Sequence, residues 1–221
     1  MVKHSKITKV FQLSLVIIFI LVLLGLFVPQ QFQNISFYLK NLLTTSVGWF
    51  YLLLVTGILI FCVFLIVSPI GQIRLGNPTS RPEHSTTSWI AMMFSAGMGI
   101  GLVFYGAAEP LSHFAISTPN AEIGSADALA DAFRFTFFHW GFHAWAVYAL
   151  VGLSLAYFGF RKREKYQLSV VFKPLFGKYA DGPIATIIDT ITIIATVIGV
   201  ATTLGFGASQ INGGLSYVFG I

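Results

Sequence analysis

The sequence predicts an all-α integral membrane protein in which five transmembrane helices are visible. Three observations carry that reading. Hydrophobic residues make up 56% of the 221 positions and charged residues only 10%, against roughly 45–50% and about 25% in an ordinary globular domain. The apolar residues gather in runs of about 20, the length that crosses a hydrocarbon layer about 30 Å thick. Lys and Arg fall in the short gaps between those runs. So few charges cannot cover a water-exposed surface, which excludes a disordered chain, a coiled coil and nearly every soluble enzyme fold. The net charge of +5 is no nucleic-acid footprint, because the basic residues mark loops rather than one folded face.

The first run, Val10 to Pro29, carries no charge. Lys3, Lys6 and Lys9 precede it as in a signal peptide, but a signal's apolar region spans about 7–15 residues and ends at small residues. This run ends in Val28-Pro29-Gln30-Gln31, so it reads as a retained helix. The second run is Trp49 to Ile73. The third begins at Trp89, reaches about Phe104, and continues through a motif containing Glu109 and Pro110. The fourth is Phe137 to Phe160, and the fifth is Ile184 to Phe219 with Asp189 near its start. Backbone groups in lipid must pair within their own segment, so these runs are helices. Between the last two, Gln167 to Gly177 mixes apolar residues with Lys173 and Pro174. It reads as an amphipathic piece on the inner surface. Lys3, Lys6, Lys9, Arg74, Arg81, Arg161, Lys162, Arg163, Lys165, Lys173 and Lys178 lie on one side, leaving Lys40 and Arg134 on the other. That bias places the amino terminus in the cytoplasm, the end of the fifth span outside, and the protein in the cell membrane as a multi-pass chain. Cys62 stands alone in an apolar run and reads as a small buried hydrophobe.

The third span contains Ser95-Ala96-Gly97-Met98-Gly99-Ile100-Gly101. Each glycine destabilises a helix by roughly 1 kcal/mol relative to alanine. Irregular backbone at membrane depth survives only inside protein or along a cavity. In secondary transporters such a break aims amide dipoles at an anionic group, while freed carbonyls hold a cation. The alternative is close helix packing, which favours small residues spaced by four, as in Gly199, Thr203 and Gly207. Alternate spacing suits unwinding better.

The fourth span opens with Phe137-Phe138-His139-Trp140-Gly141-Phe142-His143-Ala144-Trp145-Ala146-Val147-Tyr148. On one continuous helix Trp140, Tyr148 and Trp145 fall at roughly 0°, 80° and 140°, one broad side. Aromatic faces attract cations, and quaternary ammonium groups are a recurring ligand of such cages. An interfacial aromatic belt is the competing explanation and suits Trp140; Tyr148 lies about 12 Å deeper at 1.5 Å per residue. His139 and His143 stand at i, i+4, a spacing that can hold a metal, and with Glu109 they define a rival intramembrane metalloenzyme. Glu109 and Asp189 are charges in or near spans, suspects for function by default, though either could anchor a helix end.

Taken together, Gly97-Met98-Gly99-Ile100-Gly101, Phe104-Tyr105-Gly106, Glu109-Pro110, and Phe138-His139-Trp140 with Trp145 and Tyr148 resemble the betaine/carnitine/choline transporter family, from about the second span onward. The resemblance implies a transporter and not an enzyme, with a LeuT-type inverted-repeat fold of about twelve helices. It implies a homotrimer when full length, and uptake of trimethylammonium osmolytes, often with sodium as coupling ion and no other cofactor. Residues 1–9 then form a cytoplasmic tail, 10–73 two peripheral helices, and 89–221 the first three helices of the first repeat. By position, Trp140, Trp145 and Tyr148 resemble half of the substrate cage, and the backbone near Gly99 and Gly101 meets the substrate carboxylate. Ser95 and Met98 resemble carbonyl ligands of one sodium, and Thr196 a threonine of a second. The family's sodium pattern carries another threonine four residues on, where this chain has Val200; Thr202 or Thr203 are substitutes. Glycine at position 101 leans toward betaine over choline. The resemblance covers only the amino-terminal part of such a transporter, so the 221 residues alone are expected not to transport. The rival readings are proton-coupled or exchange transport of choline or carnitine, and a non-transporting fragment.

Overall fold

The computed structural model describes residues 8–97, 99–118 and 120–220. They form nine α-helices with short 3₁₀ and π turns, and no strand among the described residues. Helix α1 (Lys9–Phe27) is capped by Thr8, whose hydroxyl accepts the Phe11 N–H at 3.2 Å. Val28 alone separates it from α2 (Pro29–Val67), which has proline at its first position, where the missing N–H is harmless. The helix of the second span therefore starts 20 residues before the expected span's Trp49, and the expected end of the span at Ile73 lies just past a 3₁₀ turn at Pro69–Gln72. Hydropathy reports the lipid-length stretch, not the helix; Gln30 to Asn41 is polar enough to leave the membrane yet helix-compatible.

The glycine-rich region divides α3 (Thr86–Gly97) from α4 (Ile100–Ala115). Ser125 accepts the Ala128 N–H at 3.1 Å and caps α5 (Ala126–Trp140). Asp127 in the first turn suits the positive helix end. The expected single fourth helix is interrupted at Gly141, beyond which α6 (Phe142–Ala156) runs into a π turn at Tyr157–Arg161. Two single-turn helices, α7 (Leu168–Val171) and α8 (Lys173–Phe176), occupy the expected amphipathic piece. A 3₁₀ turn at Gly177–Asp181 leads to α9 (Pro183–Phe219), matching the fifth span. Among the described residues, four stretches are long and apolar enough to cross a membrane: Lys9–Phe27, Pro29–Val67, Ala126–Arg161 taken across the Gly141 bend, and Pro183–Phe219. Most large apolar side chains on them are exposed, as a lipid-facing surface requires.

Two compact units arise, residues up to Asn77 with Leu150–Ile198, and Pro78–Ala149 with Gly199 onward. In the first unit, the Arg161 guanidinium donates to the Arg74 carbonyl at 2.7 Å and Arg163 to the Asn77 side-chain oxygen at 3.4 Å. The two basic loops assigned to one membrane side thus meet. Asp189 ties down the segment that begins with α7. Its buried carboxylate accepts the Ser169 N–H at 3.0 Å and the Ser169 hydroxyl at 2.8 Å. Asp189 is therefore seen as an anchor near a span's start. Asp189→Ala orphans both buried donors and is expected to destabilise the protein by about 2–3 kcal/mol. Faster tryptic cleavage between Lys162 and Lys178 is the readout; unchanged cleavage contradicts the anchor. Beyond it, the Lys173 ammonium is held above its ordinary value of 10.5, first by its hydrogen bond to Glu164 and further by Asp181. Any stability it adds is present below that value and is lost as pH rises through the raised one.

In the second unit α4 packs on α5. Ala128 and Ala132, both fully buried and four residues apart, give α5 a flat stripe on which a neighbour can close. Asp131 accepts Arg134 at 2.6 Å and Thr118 at 3.5 Å, fixing the connection between the two helices.

Candidate functional site

The site grows from the start of α4. Gly99 is extended (φ −72°, ψ 170°) and precedes the first helical residue with no side-chain cap. The first N–H groups of α4 and the last carbonyls of α3, Ser95 included, therefore lack partners within their own helices. The interruption falls where the alternate glycines predict it. Met98, expected as a sodium ligand, lies outside the described residues.

Beyond the break, Gly101, Tyr105 and Glu109 recur every fourth residue and so share one face of α4. The Trp140 side chain, from the last residue of α5, lies along that face. A Cβ on Gly101 would sit 3.9 Å from the tip of its indole. The Tyr105 and Trp140 rings are 5.8 Å apart, and the Trp140 Nε1–H donates to Glu109 Oε2 at 2.7 Å. Glu109 also lies 2.9 Å from His139 Nδ1 through either oxygen, and 3.7 Å from His113 Nε2. A carboxylate withdrawn from water is expensive unless polar partners surround it, and Trp140 and His139 meet it at hydrogen-bond distance.

Trp145 meets the other side of the break. A Cβ on Gly97 would sit 3.1 Å from Trp145 Cη2, so glycine here lets this indole approach α3 closely, and any larger residue would push the ring back by a few tenths of an ångström. The Trp145 Nε1–H donates to the Trp140 carbonyl at 3.1 Å, and its ring lies 5.6 Å from Tyr148. The bend at Gly141 corrects the helical-wheel argument. Trp140 belongs to α5 while Trp145 and Tyr148 belong to α6, so no single helix face holds all three. The bend also interrupts the i, i+4 register of His139 and His143. His143 meets Phe138 instead, with ring centroids 4.6 Å apart and planes tilted by 42°, and the described residues gather no group of three His, Cys, Asp or Glu fit to hold a metal.

One aromatic was not anticipated. Phe206 of α9 stacks on Phe104 at 5.1 Å and meets Tyr105 edge-on at 5.3 Å. The local signal was the glycine on each side of it in Gly205-Phe206-Gly207. Thr196, in the first unit, donates its hydroxyl to the Thr192 carbonyl at 2.8 Å, and Thr203 in the second donates to the Gly199 carbonyl at 3.0 Å. Ser95 is exposed in the last turn of α3, and Val200 is exposed on α9.

These features define a class: a multi-span helical membrane protein with a discontinuous helix flanked by indole rings. The sequence profile of the betaine/carnitine/choline family of transporters (BCCT) matches residues 9–221. The chain is 53% identical over its whole length to the glycine betaine transporter OpuD of Bacillus subtilis, covering 43% of that protein. It is 44% identical over 96% of its length to a glycine betaine transporter of Acinetobacter baylyi, covering 32% of it. It is equally 44% identical over 96% of its length to an ectoine/hydroxyectoine transporter of Virgibacillus pantothenticus, covering 42% of that chain. The chain belongs to the betaine/carnitine/choline transporter family. It spans less than half the length of these relatives, and the family is one of transporters, not enzymes.

Proposed function

We propose that the complete protein is a secondary transporter of glycine betaine or a related trimethylammonium osmolyte, coupled to sodium. This chain supplies the broken helix and one side of the substrate cage. The observation that carries the reading is the α3–α4 break lying against the Trp145 and Trp140 rings at Gly97 and Gly101. A permanently methylated nitrogen has no N–H to donate, so ring faces are its natural hosts. Trp140, Trp145 and Tyr148 take the trimethylammonium, and the unpaired amides following Gly99 and near Gly101 take the carboxylate. Sodium at the carbonyls of Ser95 and Met98 stabilises the same break, so ion and substrate favour one state; Thr196 belongs to a second sodium site. Counting α3 and α4 as one broken crossing gives five crossings, consistent with a LeuT-type inverted repeat of about twelve helices. The amino terminus then faces the cytoplasm of a cell-membrane protein that works as a homotrimer.

Uptake of labelled glycine betaine by proteoliposomes holding the complete protein tests this. Uptake is expected to fall at least tenfold without a sodium gradient, a coupling of about 1.4 kcal/mol or more. Unchanged uptake in sodium-free buffer removes the sodium claim. Val200 favours the second reading, sodium-independent uptake or exchange, because an apolar side chain offers no ligand where the sodium pattern has a threonine. Competition by ectoine separates a trimethylammonium-selective carrier from one with the wider preference that the Virgibacillus relative's name describes.

A further inference from the structure

The reading above uses the ring of Trp140 but leaves unexplained the carboxylate behind it. Glu109 is 11% exposed and lies among three side chains on two helices: it is within hydrogen-bond distance of Trp140 Nε1 at 2.7 Å and His139 Nδ1 at 2.9 Å on α5, with His113 Nε2 of its own helix α4 farther off at 3.7 Å. The indole contact is the shortest of the three, and a hydrogen bond to an ionised acceptor is shorter and about twice as strong as a neutral one. We propose that Glu109 is a positioning residue that also sets charge selectivity. It fixes the Trp140 indole and gives that ring the electrostatics that discriminate a cationic head group from a neutral one of the same shape. The proposal rests on the reading of Trp140 as a cage ring.

Two effects act together. An indole free to turn about two side-chain torsions presents its face only part of the time, whereas one tied by its N–H to a fixed carboxylate presents it always. Donation of that N–H to an anion also pushes electron density into the ring, deepening the negative face that a cation meets. A negative charge at the ring edge adds a longer-range attraction, little screened where water is scarce. The same charge repels the substrate's own carboxylate. Gly101 lies eight residues before Glu109 on one helix face, about 12 Å along the axis, at the end where unpaired N–H groups carry positive potential. The first turns of α4 thus run from positive at the break to negative at Glu109. A dipolar substrate enters this field in one orientation, its ammonium toward Trp140 and its carboxylate toward Gly99.

The test compares two ligands of one shape, glycine betaine and 3,3-dimethylbutanoate, in which carbon replaces the quaternary nitrogen. Affinities are measured on the complete protein, reconstituted. Glu109→Gln keeps an acceptor for the indole and removes the charge. It is expected to weaken betaine about fivefold while leaving the neutral-headed analogue unchanged or tighter. Trp140→Phe keeps a ring and deletes the N–H; it is expected to shift the ratio of the two affinities in the same direction, and the double variant to lose no more than the worse single one. If Glu109→Gln does not fold, Trp140→Phe alone carries the test through that ratio. Glu109→Asp retains the charge and is expected to keep the ratio. Equal loss for both ligands, or an unchanged ratio in either variant, overturns the proposal. Trp140→Ala separates this failure from that of the cage: if it leaves betaine affinity intact, Trp140 is no cage ring; if it weakens betaine while Glu109→Gln does not, only the role of Glu109 falls.

Discussion

Gly141→Ala is expected to abolish betaine uptake and to destabilise the protein by about 1–3 kcal/mol, the scale of forcing extra atoms into a close-packed site. A Cβ at this position would collide with the Phe137 carbonyl oxygen. The obstacle is backbone, so no side chain can swing aside. Relief requires the end of α5 to move, and Trp140 is the residue adjoining the bend. The Trp145 backbone N–H donates to the Gly141 carbonyl at 3.3 Å, a contact that bridges the bend. The displacement therefore reaches both indoles. Thermal unfolding in detergent and labelled-betaine uptake are the two readouts. Normal values for both would show that the bend relaxes freely and that the indoles do not depend on it.

The second large effect is expected from Trp145→Ala. Its indole packs 3.1 Å from the position a Gly97 Cβ would take and lies 5.6 Å from Tyr148. Removing it should weaken trimethylammonium binding by roughly 1–2 kcal/mol or more, the range of a desolvated cation–π contact, which is about a five- to thirtyfold rise in Kd. Equilibrium binding of glycine betaine measures it, and unchanged affinity removes Trp145 from the cage. Phenylalanine at this position should recover part of the loss, since it restores a ring face but not the hydrogen bond to the Trp140 carbonyl.

Features that depend on residue type at a local position were legible in the sequence. The three alternate glycines announce a break because their effect on helix stability needs no partner, and α3 ends at Gly97. The apolar run behind α9 is long enough to leave helix as its only membrane structure. Gly141 was missed because aromatic neighbours make the surrounding run look continuous; hydropathy is blind to a bend that keeps the apolar pattern. The early start of α2 was missed for the opposite reason, since polar residues end a membrane stretch without ending a helix. Glu109 could be suspected as a charge within a span, but its pairing with Trp140 spans 31 residues and depends on how α4 meets α5. Phe206 and the Ser169–Asp189 anchor are likewise contacts between distant segments that no local period encodes.

Helix α2 has 39 residues, so it runs for about 58 Å, nearly twice the thickness of the oily slab it pierces. Its portion from Val47 to Val67 already fills that slab at about 31 Å. The stretch bearing Gln30, Asn34, Lys40 and Asn41 must then stand clear as a rigid mast on the face opposite Arg74. A tag, antibody or cross-linker fixed near Lys40 would ride on that mast and report tilting of the helix.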